Sequence, residues 1–166
     1  MPSFDVVSKV NLQEVDNAVN QARKEITTRY DFQGTHTEVS LADDKTTFQL
    51  KANSEGRLQA AYDVLQSKLV KRGVSLRALQ PGPVDSAALG QVKQTIKLQQ
   101  GIAVEKSKEL IKALKESKMK LQGSIQGDQL RISGKNKDDL QAAIALFRAQ
   151  QEKLNLDLQF TNFRDS

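Results

Sequence analysis

The chain carries the same pattern of helices and strands twice. Leu58-Gln59-Ala60-Ala61 recurs as Leu140-Gln141-Ala142-Ala143, 82 residues further along. The same offset places Ser54 on Asn136, and both residue types commonly cap the start of a helix. Because the apolar register and the caps agree, we interpret the sequence as an internal duplication. Each copy then has about 75 residues, which is small for an independently stable domain.

Apolar spacing in the first copy predicts strand, helix, two strands, helix and strand. The strand at 4–10 leads into a helix that Asn11 caps, and the segment 38–52 alternates as a hairpin. A second helix starts after Ser54 and ends at Arg72-Gly73, and a short strand follows at 74–79. The second copy repeats this order with a strand at 92–98, a helix at 103–117, a hairpin at 121–132, a helix after Asn136 and a strand at 156–160.

The order βαββαβ is that of the ferredoxin-like α+β architecture, so we predict a tandem duplication of two ferredoxin-like domains. Gln80-Pro81-Gly82-Pro83 is unsuited to a regular strand or helix, and we interpret residues 81–90 as a linker. The predicted domains are therefore residues 1–80 and 91–166. The sequence leaves open whether the two first strands are exchanged between the domains.

Composition limits the class of protein. With 38% apolar and 27% charged residues, the chain falls among soluble globular proteins. Its apolar stretches are far shorter than the roughly 20 residues of a membrane span, and no export signal is visible. There is no cysteine, which excludes disulfides, thiolate metal sites and thiol catalysis. We expect a cytoplasmic protein.

Residues suited to catalysis are few. The single histidine, His36, lies on a predicted strand next to Glu38, where a surface role is expected. The pairs Asp43-Asp44 and Asp138-Asp139 fall in a predicted turn and in the first turn of a helix, where acids are favoured for structural reasons. We therefore predict a non-enzymatic protein without a metal ion or cofactor.

Positive charge is concentrated in the second half of the chain. The net charge is +5, and residues 83–166 carry 14 Lys or Arg against 10 Asp or Glu. If Val92 and Ile96 face the helices, strand alternation places four cations on the open face of the second sheet: Lys93, Lys97, Lys120 and Arg131. Such a face suits phosphate binding, although a solvated basic surface explains it equally well. The absence of aromatic residues there argues against sequence-specific RNA recognition.

A second candidate for phosphate binding is Gly134-Lys135-Asn136-Lys137, which leads directly into a helix. Free backbone N–H groups at the helix start, together with Lys135 and Lys137, would suit one phosphate group. The spacing from Gly127 does not match a Walker loop, so this is not an NTPase motif. Simple capping, with both lysines in solvent, is the alternative.

Several strings together resemble the YajQ family of bacterial proteins across the whole chain. They are Pro2-Ser3-Phe4-Asp5-Val6-Val7-Ser8, Arg29-Tyr30-Asp31-Phe32, Leu69-Val70-Lys71-Arg72-Gly73, Gln100-Gly101-Ile102, Ser117-Lys118-Met119-Lys120-Leu121-Gln122, Ile125-Gln126-Gly127-Asp128, Asp138-Asp139-Leu140-Gln141 and Asn162-Phe163-Arg164-Asp165. The resemblance implies two ferredoxin-like domains and a non-catalytic nucleotide-binding role. Members of the family are associated with cyclic di-GMP, and others with GTP or tRNA.

Two of these strings pair an aromatic residue with arginine. Arg29 with Phe32, and Phe163 with Arg164, have the composition to stack a purine and hold its phosphate. The alternative is that both phenylalanines fill small cores while the arginines pair with neighbouring acids.

These observations give a hypothesis of a cytoplasmic binder of guanine nucleotides, most simply a cyclic di-GMP effector. It would act through protein partners, for example a transcription regulator bound on the solvent face of a helix. An RNA-binding, tRNA-binding or ribosome-associated module is the alternative. The candidate nucleotide-binding residues are Lys93, Lys97, Lys120, Arg131, Lys135, Lys137, Phe163, Arg164, Arg29 and Phe32.

Overall fold

The structure is a computed structural model that describes residues 1–165. Within these residues the chain forms eight strands and four α-helices. In chain order they are β1 (Ser3–Val7), α1 (Leu12–Thr28), β2 (Glu38–Leu41), β3 (Thr47–Ala52), α2 (Glu55–Lys71), β4 (Leu79–Ser86), β5 (Val92–Leu98), α3 (Val104–Glu116), β6 (Leu121–Gln126), β7 (Gln129–Gly134), α4 (Lys137–Leu154) and β8 (Gln159–Arg164).

The chain divides into two compact units. Unit 2 is the continuous segment Val10–Gln99, whereas unit 1 combines Met1–Lys9 with the chain from Gln100 onward. Each unit contains one four-stranded antiparallel sheet, with the order β6-β7-β1-β8 in unit 1 and β2-β3-β5-β4 in unit 2. Two helices accompany each sheet. The prediction of two ferredoxin-like domains is confirmed.

The first strands of the two copies are exchanged. In unit 1, β1 is a central strand that pairs with β7 and β8, and Phe4 lies opposite Ile132. In unit 2, β5 takes the corresponding place between β3 and β4, and Phe48 lies opposite Ile96. The structure thus answers the question that the sequence left open.

The expected boundaries at residues 80 and 91 differ from those of the structure, where the chain passes between units near residues 9–10 and 99–100. Residues 81–90 are not a linker, because β4 runs through Pro81 and pairs with β5. Proline is tolerated at this position since β4 is an edge strand, and the pairing register shifts between Pro81 and Val84.

Three shorter predictions were wrong in position. The expected strand at 74–79 is mostly a 3-10 turn over Leu76–Ala78. Leu156 and Leu158 precede β8 and lie buried in the core of unit 1, because apolar alternation also occurs where a chain runs along a core without pairing. His36 is exposed in a turn with a positive φ of 55°, rather than in a strand.

Helix starts and apolar stripes follow the local sequence closely. The Asn11 side chain accepts hydrogen bonds from the backbone N–H groups of Gln13 and Glu14, and Ser54 accepts one from Arg57. The duplicated strings lie in α2 and α4, where Leu58 and Leu140 are each buried in the core of their unit. Equivalent positions of the repeat therefore perform the same packing role. No helix among residues 1–165 has the length and apolar character needed to cross a membrane.

Candidate functional site

A cleft of about 520 Å³ lies in unit 1 where β6 begins and β7 ends. We call it the β6–β7 cleft. It has the size of a small-molecule site and combines polar with apolar side chains. Its lining residues are Met1, Met119, Lys120, Leu121, Gln122, Ser133, Gly134, Lys135, Asn136 and Asp139.

Strand pairing places two lysines at the mouth of this cleft. Leu121 at the start of β6 lies opposite Gly134 at the end of β7. Lys120 precedes Leu121 and Lys135 follows Gly134, so both lysines lie at the same end of the sheet. Both lysines are exposed, and neither has an ion-pair partner within 4.0 Å in the part of the chain that the structure describes. Their charges are therefore available to an anionic ligand.

The start of α4 forms one wall of the cleft. Asn136 precedes the helix with an extended backbone, but in the described residues its side chain accepts no hydrogen bond from the first turn. Backbone N–H groups at a helix start attract anions. Asp139, on the first turn, also lines the cleft and offsets part of the positive potential.

Other predicted site residues gather at the same end of the sheet. Because Ser3 pairs with Ser133 on one side and with Arg164 on the other, β8 ends beside the start of β1. Phe163 is 57% exposed, and one face of its ring stacks on Phe4 with the ring centres 5.7 Å apart. Lys137 pairs its Nζ with Asp165 Oδ1 at 2.9 Å, an exposed contact.

A polar cluster occupies the middle of the unit 1 sheet. Arg131 Nε donates to Asp5 Oδ1 at 3.0 Å, and Asn162 Nδ2 donates to Asp5 Oδ2 at 2.8 Å. Arg164 Nε reaches Asn162 Oδ1 at 3.4 Å. Asp5 is only 4% exposed. We call Asp5, Arg131, Asn162 and Arg164 the Asp5 cluster, and within it the charge of Arg131 is compensated.

The cluster keeps Asp5 ionised. Burial by itself would raise the pKa of Asp5, but hydrogen bonds from Arg131 and Asn162 and the positive charges of Arg131 and Arg164 outweigh it, so the pKa is lower than usual. The same contact raises the pKa of Arg131. A positive φ of 55° at Asn162 marks a bulge where the β1–β8 register shifts, and this places the amide beside Asp5.

The expected face with four cations is not formed, because β5 belongs to the unit 2 sheet. Lys93 and Lys97 therefore lie in unit 2, while Lys120 and Arg131 lie in unit 1. In unit 2, Lys93 stands opposite Lys51 of β3 and Asp85 of β4. Strand exchange separates the predicted residues into two sets.

Arg29 and Phe32 also belong to unit 2. Phe32 is buried, and the Arg29 guanidinium lies over its ring at 4.9 Å. Arg29 pairs with Asp31 at 2.7 Å and with Glu25 at 3.2 Å. This geometry matches the alternative considered for the sequence, in which the aromatic fills a core and the arginine pairs with acids. Within residues 1–165, no three His, Asp or Glu side chains are grouped so that they could hold a metal ion.

Comparison with known proteins gives the family. A family model described as "Nucleotide-binding protein YajQ-like" matches residues 2–164. The chain belongs to this family.

YajQ-like relatives align over nearly their full length. A nucleotide-binding protein of Myxococcus xanthus is 67% identical over 99% of this chain and 100% of the relative. One from Trichlorobacter lovleyi is 53% identical over the same shares of both chains. One from Carboxydothermus hydrogenoformans is 53% identical over 98% of this chain and 97% of the relative.

In this YajQ-like chain, one end of the unit 1 sheet brings together half of the predicted site residues: Lys120, Lys135, Lys137, Phe163 and Arg164. The prediction missed Met1, Met119 and Asp139, which complete the cleft, and Asp5 and Asn162 in the cluster. Asp5 carried a signal, since an acid between Phe4 and Val6 of a central strand needs a partner. Asn162 carried none, because its role depends on a bulge.

Proposed function

We propose that this YajQ-like protein binds cyclic di-GMP in the β6–β7 cleft without converting it, and acts through protein partners. One observation carries the proposal: a helix start and two lysines without an ion-pair partner among residues 1–165 meet at one cleft, in a chain whose relatives are named nucleotide-binding proteins. The absence of cysteine favours a cytoplasmic setting for this function.

Phosphate binding follows from the charges of the cleft. Lys120 and Lys135 donate charge-assisted hydrogen bonds to phosphate oxygens, and the first N–H groups of α4 add further donors. Asp139 limits the net positive charge. A phosphodiester, which carries a single negative charge, suits such a site better than the concentrated charge of a triphosphate. We therefore favour cyclic di-GMP over GTP.

The guanine bases need flat or apolar surfaces. Met1, Met119 and Leu121 supply apolar contacts inside the cleft. Phe163 lies at the same end of the sheet with one ring face against Phe4 and more than half of its surface exposed. Its exposed face is suited to stacking one base, and Arg164 beside it to a second phosphate.

Calorimetric titration at low salt tests the proposal. We expect saturable binding of cyclic di-GMP, weaker binding of GTP, and unchanged ligand after incubation with the protein. Lys120→Ala and Lys135→Ala should each weaken binding roughly tenfold, the value of one charged hydrogen bond. Lys153→Ala, an exposed lysine of α4 outside the cleft, is the matched control. No saturable binding of either nucleotide, or equal affinities for all variants, would refute the site.

RNA binding is the second candidate, and the unit 2 sheet favours it. Lys51, Lys93 and Lys97 are exposed on the adjacent central strands β3 and β5. Glu38 opposite Lys51 and Asp85 opposite Lys93 offset part of this charge, and Lys97 has no acid opposite it. A face with these lysines and without aromatic residues suits phosphate-led binding of an RNA backbone. In this case tRNA affinity falls steeply with salt, and Lys93→Ala and Lys97→Ala each lower the salt slope by about 1. Cyclic di-GMP should then compete poorly with tRNA.

A further inference from the structure

The four edges of the two sheets are protected to different degrees against pairing with another strand. In β8 the register shifts at the Asn162 bulge. In β4 the shift falls in the segment that contains Pro81 and Pro83. In the short strand β2, the Val39 carbonyl is occupied by Arg23 Nε at 2.7 Å. Natural sheets use devices of this kind to block edge pairing.

The edge strand β6 has none of these devices. Its six residues, Leu-Gln-Gly-Ser-Ile-Gln, include no charged residue and no proline. It pairs with β7 in an unbroken register from Leu121 opposite Gly134 to Gln126 opposite Gln129. An uncharged, regular edge of this length is a template for a further strand.

The backbone groups of β6 that point outward can be identified. The two-residue turn Gly127-Asp128 makes Gln126 and Gln129 a hydrogen-bonded pair, so the alternation of antiparallel pairing turns Gly123 and Ile125 away from β7. The N–H of Gly134 donates to Pro2 O instead of to β6, as this alternation requires. The N–H and C=O groups of Gly123 and Ile125 therefore face outward.

A groove of about 370 Å³ runs along this edge. It is lined by Ile111, Leu114 and Lys115 of α3, by residues 121–124 of β6, and by Arg131 and Ser133 of β7. Gly123 lets Ile111 pack close to the β6 backbone, since a Cβ atom at Gly123 would lie 3.1 Å from Ile111 Cγ1. Apolar side chains of an added strand would contact Ile111 and the partly exposed Ile125.

The charges around the groove identify the chemistry of the occupant. Lys115 lines the groove, and Lys118 precedes β6. Both are exposed, and within residues 1–165 neither forms an ion pair. A second copy of the chain would bring the same lysines and a net charge of +5, so it offers less complementarity than an acidic segment.

We propose that β6 accepts an extended acidic peptide of a partner protein as an additional strand. The main chain of the peptide bonds to Gly123 and Ile125, its apolar side chains contact the α3 side of the groove, and its carboxylates meet Lys115 and Lys118. This inference goes beyond nucleotide binding and does not depend on it, because none of these contacts involves a ligand in the β6–β7 cleft.

Selection from a random peptide library on the full chain tests the inference. We expect selected peptides that are rich in Asp, Glu and β-branched residues. Ile125→Pro removes an outward N–H without removing a bond to β7, and it should weaken their binding roughly tenfold. Lys115→Glu should weaken binding as well, whereas Lys153→Glu, the same charge change outside the groove, should leave it unchanged.

A second measurement uses the wild-type chain and changes the peptide instead. Two versions of a selected peptide are compared, one N-methylated at its odd-numbered residues and the other at its even-numbered residues. One version should lose binding and the other should keep it, since only one edge of the peptide pairs with β6. Equal binding of both versions, full binding to a folded Ile125→Pro chain, or no acidic enrichment would overturn the proposal. If the wild-type chain forms a dimer that Ile125→Pro dissociates, the β6 edge binds a second copy instead of a peptide. If the chain binds tRNA and Lys115→Glu abolishes that binding, the occupant is a nucleic acid.

Discussion

Replacing Arg131 by methionine should destabilise unit 1, because it leaves the buried carboxylate of Asp5 without its charged hydrogen-bond donor. Asp5 is 4% exposed, and its Oδ1 accepts from Arg131 Nε at 3.0 Å. A hydrogen bond to a charged group contributes about 1.5–3 kcal/mol. The Arg131 side chain is 35% exposed and Asn162 still serves Oδ2, so we expect a loss of ~2 kcal/mol. For a unit of this size, that corresponds to a melting temperature lower by roughly 8–16 °C.

The assay compares Arg131→Met, Asp5→Asn and the double variant by thermal unfolding. Removing both partners should cost less than the sum of the single changes by about 1 kcal/mol, because no buried charge is then left without its partner. Circular dichroism follows both units. The two tyrosines, Tyr30 and Tyr62, both lie in unit 2, so their fluorescence should not change and serves as an internal control.

The pH dependence gives an independent check. The pKa of Asp5 is lowered by folding, so its stabilising contribution is present above the ordinary carboxyl pKa of about 3.9 and is lost as the pH falls through the lower pKa of the folded state. The stability difference between wild type and Asp5→Asn should therefore shrink below about pH 4. Additive single changes, or a difference independent of pH down to the acid transition, would refute the coupling.

Three further changes test the packing. Leu89 is 95% exposed and has a φ of 59°, a left-handed backbone conformation that is strained for leucine and tolerated by asparagine. Leu89→Asn should therefore raise the stability of unit 2 by about 0.5–1 kcal/mol in denaturation followed by tyrosine fluorescence, and a loss of stability would contradict this strain. Gly101 has φ 76° and no room for a Cβ beside Asp128, so Gly101→Ala should cost about 1–3 kcal/mol by circular dichroism; an unchanged midpoint would contradict this. Phe147 is fully buried in the core of unit 1, so Phe147→Ala should lower the stability of this unit by about 3–5 kcal/mol. The tyrosine fluorescence of unit 2 should not change, and a joint shift of the fluorescence and circular dichroism transitions would show that the units unfold together.

Local signals made most of the fold predictable. The Asn11 and Ser54 caps and the apolar stripe of α1 act over one or two helical turns, so they are readable from neighbouring residues. Strand exchange acts over the whole chain. Phe4 and Val6 in β1, and Ile96 and Leu98 in β5, present the same alternation, and nothing local decides which core receives them.

The difference between local signals and long-range pairing also explains which residues of the candidate site were predictable. Lys135 precedes a helix start, a local feature, and it does line the cleft. Lys93 and Lys97 were grouped with Lys120 only because they share one half of the sequence, and strand exchange separates them. The pairing of Asp5 with Arg131 joins residues far apart in the chain, so only the register of β1 against β7 reveals it.

The exchanged strands also set an order of events during protein synthesis. Val10–Gln99 is one continuous piece, so unit 2 can complete its sheet once β5 has left the ribosome. The residues of β1 emerge about 90 positions before the remainder of unit 1 and must wait unpaired until β7 and β8 are made. During that interval Phe4 and Val6 expose apolar surface, and a trigger-factor-like chaperone that shields the nascent segment would have its greatest effect there.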